Sequence, residues 1–481
     1  MSLRNSQLHS WKSILLFELR TLLRTGILPA LLLIVLATGI TAALLGKQVR
    51  ATQLNTLDSI SKDYAAAYEK LSQGFHADTS TPAGKSAYTA AAHPAVVDFR
   101  LHRTAVHPPA VFAGLAVGLS DRATYYVPVA VKQNFVPADE SISNPLHLLA
   151  GAFDVSFLII YLLPLAMICI SYNLLGQEKE QGTFSLLLLQ GSNMATILFL
   201  RLGLRYVILL CCVLIITACG ILPATTLPWN EVMAWLLVSA AYLAVWTGII
   251  WLILSWNKAS ALTLMTMLCT WIIVLIALPA FLLSRLTDGA DDNMAAAASI
   301  QREIEWETWE LPQRQLLDSF YSYYPAYRNA QAYDTSAGST RRMIAYYDLV
   351  SRRAQRANAS IKAAWEQDMA LVHASCLYNP AVYAQVLLNS IAGTDLTDYI
   401  YFDRQVSLFR ERWKQYFYTF HFNDRKFTIN DYQSLPVYQP SRDPGRALLW
   451  MKGSCYLLSL AVGFLIAGTM LLSVTHRRYS I

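Results

Sequence analysis

The chain has 481 residues, is 55% hydrophobic and 15% charged, and carries a mean hydropathy of +0.34 with a net charge of +6. A soluble chain usually carries about a quarter charged residues, so this shortfall argues against an ordinary soluble protein and points to several lipid-embedded segments. The positive balance needs no nucleic acid to explain it: membrane proteins collect Lys and Arg at their cytoplasmic ends, and no dense basic block with interleaved aromatics is present.

In chain order, residues 1–25 come first. Trp11, Leu15, Leu16, Leu19, Leu22 and Leu23 fall broadly on one helical face, with Lys12, Arg20 and Arg24 on the rest. That is the pattern of an amphipathic helix lying on the cytoplasmic leaflet. Residues 26–46 form an uncharged run, too long for a signal-peptide core. Further apolar runs at 146–175, 195–222, 232–256, 259–283 and 447–475 each reach the about 20 residues that a span requires. The expectation is an all-α polytopic membrane protein with six transmembrane helices. An even number of spans puts both termini on one side, and the basic ends, including His476-Arg477-Arg478, make that side the cytoplasm.

The polar segments then sort by side, with 47–145 and 284–446 outside. Leu54, Leu57, Ile60, Tyr64, Tyr68 and Leu71 recur at helical spacing, and 295–309, 341–378 and 396–418 read as helices as well. Pro94, Pro108, Pro109 and Pro145 interrupt the first segment, and Gly338, Pro380 and Gly393 the second. Together they predict one mainly helical exterior domain formed by two segments.

Several residues invite a chemical reading. Six of the seven cysteines (Cys169, Cys211, Cys212, Cys219, Cys269, Cys455) sit in apolar runs and read as small packed hydrophobes, and only Cys376 lies in a polar region. Gly84-Lys85-Ser86 ends like a P-loop, but Thr79 occupies the position of the required first glycine and no apolar strand precedes it. His93, His102, His107 and His147 cluster in the first exterior segment at spacings that fit no standard metal site, so no metal is expected. Asp154 lies within the second span, either as a transport-linked acid or as a hydrogen-bonding packing residue. Arg201 and Arg205 open the third span, where they can pair with Glu178 or Glu180 or reach lipid headgroups. Trp229, Trp235, Trp246, Trp251 and Trp256 read as interface anchors and packing residues. No arrangement supports a hydrolase, so no catalytic residue is expected.

The interior segment 176–194 is the most informative. It runs Gln177-Glu178-Lys179-Glu180-Gln181-Gly182-Thr183-Phe184 into Ser185 and an apolar stretch that includes Leu187. A charged cluster follows a span, the helix breaks at Gly182, and a short amphipathic element starts near Thr183, whose hydroxyl can cap it. The plain alternative is an ordinary polar loop between two spans.

Glu180-Gln181-Gly182-Thr183-Phe184 with Leu186 to Leu189 resembles the "E-x-G-T-x-x-x-L-L" signature of ABC-2-type permeases, with Gln181 standing where that family usually has a basic residue. Asn144-Pro145, Gly151, Asp154 and Tyr161 to Leu165 are similar to the second span of a bacterial ABC-2 subfamily with a carboxyl-terminal domain of unknown function (DUF3526-like). Asn379-Pro380, then Gly393-Thr394-Asp395, and Phe402 through Phe417 resemble that domain. The resemblance implies a permease subunit of the bacterial inner membrane, dimeric with itself or a related chain, driven by a separate ABC ATPase. On that reading 176–194 is the coupling helix, and ATP and Mg belong to the partner, with no cofactor in this chain. Membrane lipid surrounds the spans, a periplasmic partner is an option for the exterior domain, and export is the expected direction. Two other classes stay open: an ABC-type mechanotransmitter acting on a periplasmic partner without transport, and a membrane sensor with a helical exterior domain.

Overall fold

The computed structural model describes residues 15–131, 153–176, 194–222, 226–256, 258–281, 290–328, 340–357, 378–442 and 445–479, with a few isolated positions between them. Helix α1 (15–24) turns at Thr25-Gly26 into α2 (Ile27–Gln73). The first span and the Leu54–Leu71 periodicity are therefore parts of one helix of 47 residues. Nothing in Lys47-Gln48-Val49-Arg50-Ala51-Thr52-Gln53 interrupts it, since neither Gly nor Pro occurs there.

Among the described residues, five helices are long and apolar enough to cross a membrane: α2, α6 (Met194–Ile221), α7 (Trp229–Leu254), α8 (Ser260–Phe281) and α15 (Arg446–Tyr479). This is the architecture of a multi-pass membrane protein. The run expected at 146–175 is described from Phe153 onward and contributes a shorter apolar helix, α5 (Val155–Ser171). Its neighbours cover α5 on almost every side.

Helix α7 is the hub of the bundle. Trp235, Tyr242, Trp246 and Trp251 are fully buried along it, and α15 runs beside it. Trp229 and Trp256, by contrast, lie at its two ends and are exposed. Packing thus accounts for the three inner tryptophans, and end position for the outer two.

The polar domain draws on both segments. Helices α3 (Pro82–Ala92) and α4 (Pro94–Arg100) precede an antiparallel pair, β1 (Arg103–Val106) and β2 (Tyr126–Val129), with Arg103 opposite Val129 and Val106 opposite Tyr126. The all-α expectation therefore needs one amendment. Pro128 is tolerated because a two-stranded ribbon leaves each strand an open edge. The second segment adds α9 (Ala290–Glu310), α10 (Gln313–Tyr323) and α11 (Thr340–Ala357). After these come α12 (Pro380–Ala392), α13 (Leu396–Phe422) and α14 (Ile429–Gln433).

The two segments share one aromatic core. Phe402, Phe409, Trp413, Phe417 and Tyr418 of α13 meet Phe320 of α10, Val97 of α4 and Val129 of β2. Trp413 Nε1 donates to Asp98 (2.8 Å), which also accepts the Val131 amide, and Tyr432 donates to the Ala91 carbonyl (2.9 Å). Asp348 accepts from Tyr418 (3.1 Å) and Arg352 (2.8 Å), and Lys414 lies 3.5 Å from it. Burial pushes the Lys414 ammonium down and the Tyr418 phenol up from their ordinary ranges. This fastening of α11 to α13 satisfies an acid that would otherwise be stranded.

Helix α12 packs on the bundle rather than in the aromatic core. Its residues Ala381, Ala384, Leu387, Leu388 and Ile391 are buried in the bundle's apolar cluster. A helix this short and apolar suits a buried element better than a span or a solvent-exposed helix.

Candidate functional site

Among the described residues, the polar domain meets the bundle in a knot built around the loop 107–120. Arg50 Nε of α2 donates to the Ala110 carbonyl (2.8 Å), and Gln53 to the Ser120 carbonyl (2.7 Å). The turn Val111–Gly114 sits directly on Gly46 of α2, where a Cβ would collide with the Gly114 carbonyl, so only glycine fits. Phe112 places its ring 5.5 Å from that of Trp235.

Asp154 belongs to this knot. It is 4% exposed and caps α5, accepting from the Phe157 amide (2.8 Å) and the Ser156 hydroxyl (2.7 Å), while its second oxygen accepts the Val117 amide (2.8 Å). Three donors occupy the carboxylate, so of its two readings the geometry matches the packing one.

Asn379, Pro380, Gly393, Thr394 and Asp395 bracket α12. Asn379 Oδ1 caps it, accepting from the amides of Ala381 (2.9 Å) and Val382 (3.4 Å), and Pro380 takes the first position, where its missing N–H is no loss. Gly393 ends the helix in the left-handed conformation (φ +70°), returning its amide to Ser390. Thr394 donates to the Ala116 carbonyl (2.9 Å), and its own carbonyl accepts the Leu119 amide (3.0 Å). Asp395 then caps α13 through the Asp398 amide (3.1 Å). Gln385 closes the circle with a bond to Ser156 Oγ (2.9 Å). Residues that stand far apart in sequence, Asp154 and Thr394, thus hold the same loop at one peptide unit, through the Val117 amide and the Ala116 carbonyl.

The bundle holds two π-helical turns, Leu158–Leu162 in α5 and Ile273–Ala277 in α8, and the knot serves the second of them. The α-helical partner of the Ile160 carbonyl would be residue 164, a proline, and the Tyr242 hydroxyl donates instead (2.9 Å). In the π register the Val274 carbonyl would pair with residue 279, again a proline, and Asn379 Nδ2 donates instead (2.9 Å). Trp271 of α8 donates to the Tyr161 carbonyl (3.2 Å), joining the two turns.

Beside the knot, a cleft of 410 Å³ opens where α7 and α15 begin, lined by Trp229, Glu231, Arg442, Arg446 and Trp450 among others. Arg442 donates to Glu231 Oε1 (2.8 Å), and Arg446 pairs with Asp398. His107 lies nearby, against Tyr399 and Phe402 (5.3 Å each) and 3.4 Å from the Gly393 carbonyl. Burial lowers its pKa from the ordinary histidine value, with Arg442 and Arg446 acting in the same direction and Gly393 and Asp395 opposing.

At the opposite end of the bundle, α1 docks on α6 through one acid. Glu18 Oε1 accepts from Arg205 (2.7 Å), and Glu18 Oε2 lies 3.1 Å from Arg201 Nε. Arg201 and Arg205 thus find Glu18 rather than a headgroup, and the sequence offered a signal for it: Glu18 is the only acid in the basic amphipathic segment 1–25. The expected coupling residues Gln177, Glu178, Lys179, Gln181, Gly182, Thr183, Phe184 and Leu187 lie outside the described residues, as does His147; Glu180 is described only as an exposed helical position. Gly84-Lys85-Ser86 lies in the first turns of α3, where Thr81 accepts the Gly84 amide (3.1 Å) as a cap. His93 and His102 are far from converging on His107: His93 separates α3 from α4, and His102 Nδ1 contacts the Phe99 carbonyl (2.9 Å). Among the described residues no group of three or more His, Cys, Asp or Glu is placed to hold a metal.

Residues 294–441 match the family described as Domain of unknown function (DUF3526). The match opens inside α9 and stops at the residue before Arg442, so it takes in α12, α13 and the half of the knot contributed by Asn379 to Asp395. No curated protein and no solved structure matches the chain.

Proposed function

We propose that the chain is the membrane-spanning subunit of an ATP-driven transporter of the ABC-2 type, with ATP bound and hydrolysed by a separate subunit. On this reading six spans, counting α5 as the core of the second, leave both termini in the cytoplasm of an inner membrane, and the polar domain is exterior. The segment 176–194 would meet the ATPase, and two permease chains would act together on an exported substrate.

The observation that carries the reading is physical continuity between the two ends. Helix α2 has 47 residues, about 70 Å at 1.5 Å per residue, and joins the Glu18–Arg205 end to the polar domain without a break. The helices α5 and α6 that flank 177–193 are packed against α2, so a displacement there meets a stiff element that continues outside. The same continuity favours a second reading, a mechanotransmitter whose exterior domain pulls on a periplasmic partner; a sensor has no comparable use for Glu180-Gly182-Thr183.

The test is recovery of the partner. The full-length chain, tagged and purified from its native host, is expected to bring down an ABC ATPase with ATP turnover. Charge reversal at Glu178 and Glu180, or Phe184→Pro, should lower recovery and turnover, because rim charges set association rate and a proline breaks a short helix. Wild-type recovery and turnover in both variants would refute the coupling assignment.

A further inference from the structure

The cleft at the start of α7 and α15 carries an unusual lining. Glu231 is held through Oε1 by Arg442, whereas Oε2 is buried and has no hydrogen-bond partner among the described residues. A buried carboxylate oxygen without a donor is costly and calls for a missing partner. The natural partner for an acceptor-only oxygen is a cation with N–H groups. Around it stand two guanidiniums, Arg442 and Arg446, one of which is balanced by Asp398. Formal charges of Glu231, Asp398, Arg442 and Arg446 cancel. A lone anion therefore meets a neutral set, while a ligand carrying both signs finds a counterpart for each.

We propose that this cleft binds a phosphoryl-amine zwitterion, a phosphate diester or monoester joined by a short linker to a primary ammonium, as in the headgroup of an ethanolamine phospholipid. The ammonium occupies the place facing Glu231 Oε2, and the phosphoryl group takes the unshared N–H groups of Arg442. Two further observations place the site at headgroup depth. Trp229 is 64% exposed at the very start of an apolar helix, where indoles gather at membrane boundaries. Met233 and Leu237, one and two turns further along α7, are exposed and apolar, as acyl chains require. The ring of Trp229 also offers the ammonium a cation–π face. The inference uses the reading above only in taking this end of the bundle as a membrane boundary, and it is independent of ATPase coupling.

The experiment is calorimetric titration of the full-length chain in detergent with dihexanoyl-phosphatidylethanolamine, its N,N,N-trimethylated choline counterpart, and free phosphoethanolamine. Methylation removes the N–H donors that Glu231 Oε2 would accept, and a charge-assisted bond of this kind corresponds to about tenfold or more in affinity. The expected result is binding of the ethanolamine lipid at least about tenfold tighter than the choline lipid, reduced to about twofold by Glu231→Gln. Arg442→Gln should weaken both lipids together. Free phosphoethanolamine binding as tightly as the lipid would identify a soluble ligand of the same chemistry, and weaker binding a membrane lipid. Equal affinity of the wild-type chain for ethanolamine and choline lipids would overturn the proposal, and that comparison requires no variant. Full discrimination persisting in Glu231→Gln would overturn it as well.

Discussion

Asn379 offers the sharpest test of how the knot is held. Its amide serves two elements at once: Oδ1 caps α12, and Nδ2 satisfies the Val274 carbonyl that Pro279 cannot serve in the π turn of α8. The residue is fully buried, so water cannot substitute for either bond. Asn379→Ala removes a cap worth about 1 kcal/mol and strands a buried carbonyl at about 1–3 kcal/mol. The sum, about 2–4 kcal/mol, should appear as local opening of α12. Hydrogen exchange of residues 381–388 in nanodiscs should then accelerate roughly 30- to 700-fold. Asn379→Ser keeps an acceptor for the cap and should fall about 1 kcal/mol short of the alanine effect. Asn379→Asp keeps the cap but turns a second acceptor towards Val274, and should be no milder than alanine. Exchange in α12 unchanged within about twofold in both the alanine and serine variants would refute the dual role.

Three further outcomes follow from the same geometry. Glu18→Ala leaves Arg201 and Arg205 facing each other at a nearly closed site, at a cost of about 3–5 kcal/mol, and should lower the apparent melting midpoint more than the double change Glu18→Leu with Arg205→Leu; a double variant worse than the single would reverse the argument. Stability should fall on acidification from pH 7.5 to pH 5, because His107 is held below its unfolded value, so only the unfolded chain gains a proton as pH drops through about 6.5. His107→Phe should flatten that part of the pH profile, and an unchanged profile would exclude His107 as its source. Gly46→Ala drives a methyl into the Gly114 carbonyl and should cost about 1–3 kcal/mol or more in thermal unfolding, whereas Gly203→Ala, with open space around its Cβ position, should cost nothing.

The apolar helices were legible in the sequence because lipid demands about 20 residues without charge, a pattern that needs no tertiary knowledge. The periodicity at Leu54 to Leu71 was legible too, but not its continuity with the first span, because hydropathy falls at Lys47 while helix propensity does not. Composition alone hid the packing of α12: its run Pro380–Ala392 is short and lies between two polar stretches, so nothing local announces burial against the bundle. The knot was half legible. Asn379, Pro380, Gly393, Thr394, Asp395 and Asp154 were singled out, but their meeting on the loop 107–120 depends on long-range packing that no local pattern encodes. Glu231 and Arg442 went unremarked because each is an ordinary charge beside a span, and only their pairing across 211 positions gives them meaning.

The distribution of stiffness through the molecule bears on how either function could work. Helix α2 runs unbroken from one end to the other and meets the loop 107–120 at Gly46, Arg50 and Gln53, so it transmits displacement without a joint. Helices α5 and α8 are different, since each contains a π turn followed by proline, and carbonyls in those turns accept from Tyr242, Trp271 and Asn379. A π turn is the place where a helix changes register or bends with the fewest bonds broken. The bonds to the α5 turn come from α7 and α8, and that to the α8 turn from the start of α12, so bending at the α8 turn disturbs the element that leads to Gly393 and Thr394. One soft point of the bundle, the π turn of α8, is therefore tied through α12 to the attachment of the polar domain. A shift between two bundle arrangements would be read out at the knot by geometry alone, because Asp154 and Thr394 grip adjacent carbonyl and amide groups and cannot move apart without releasing the loop.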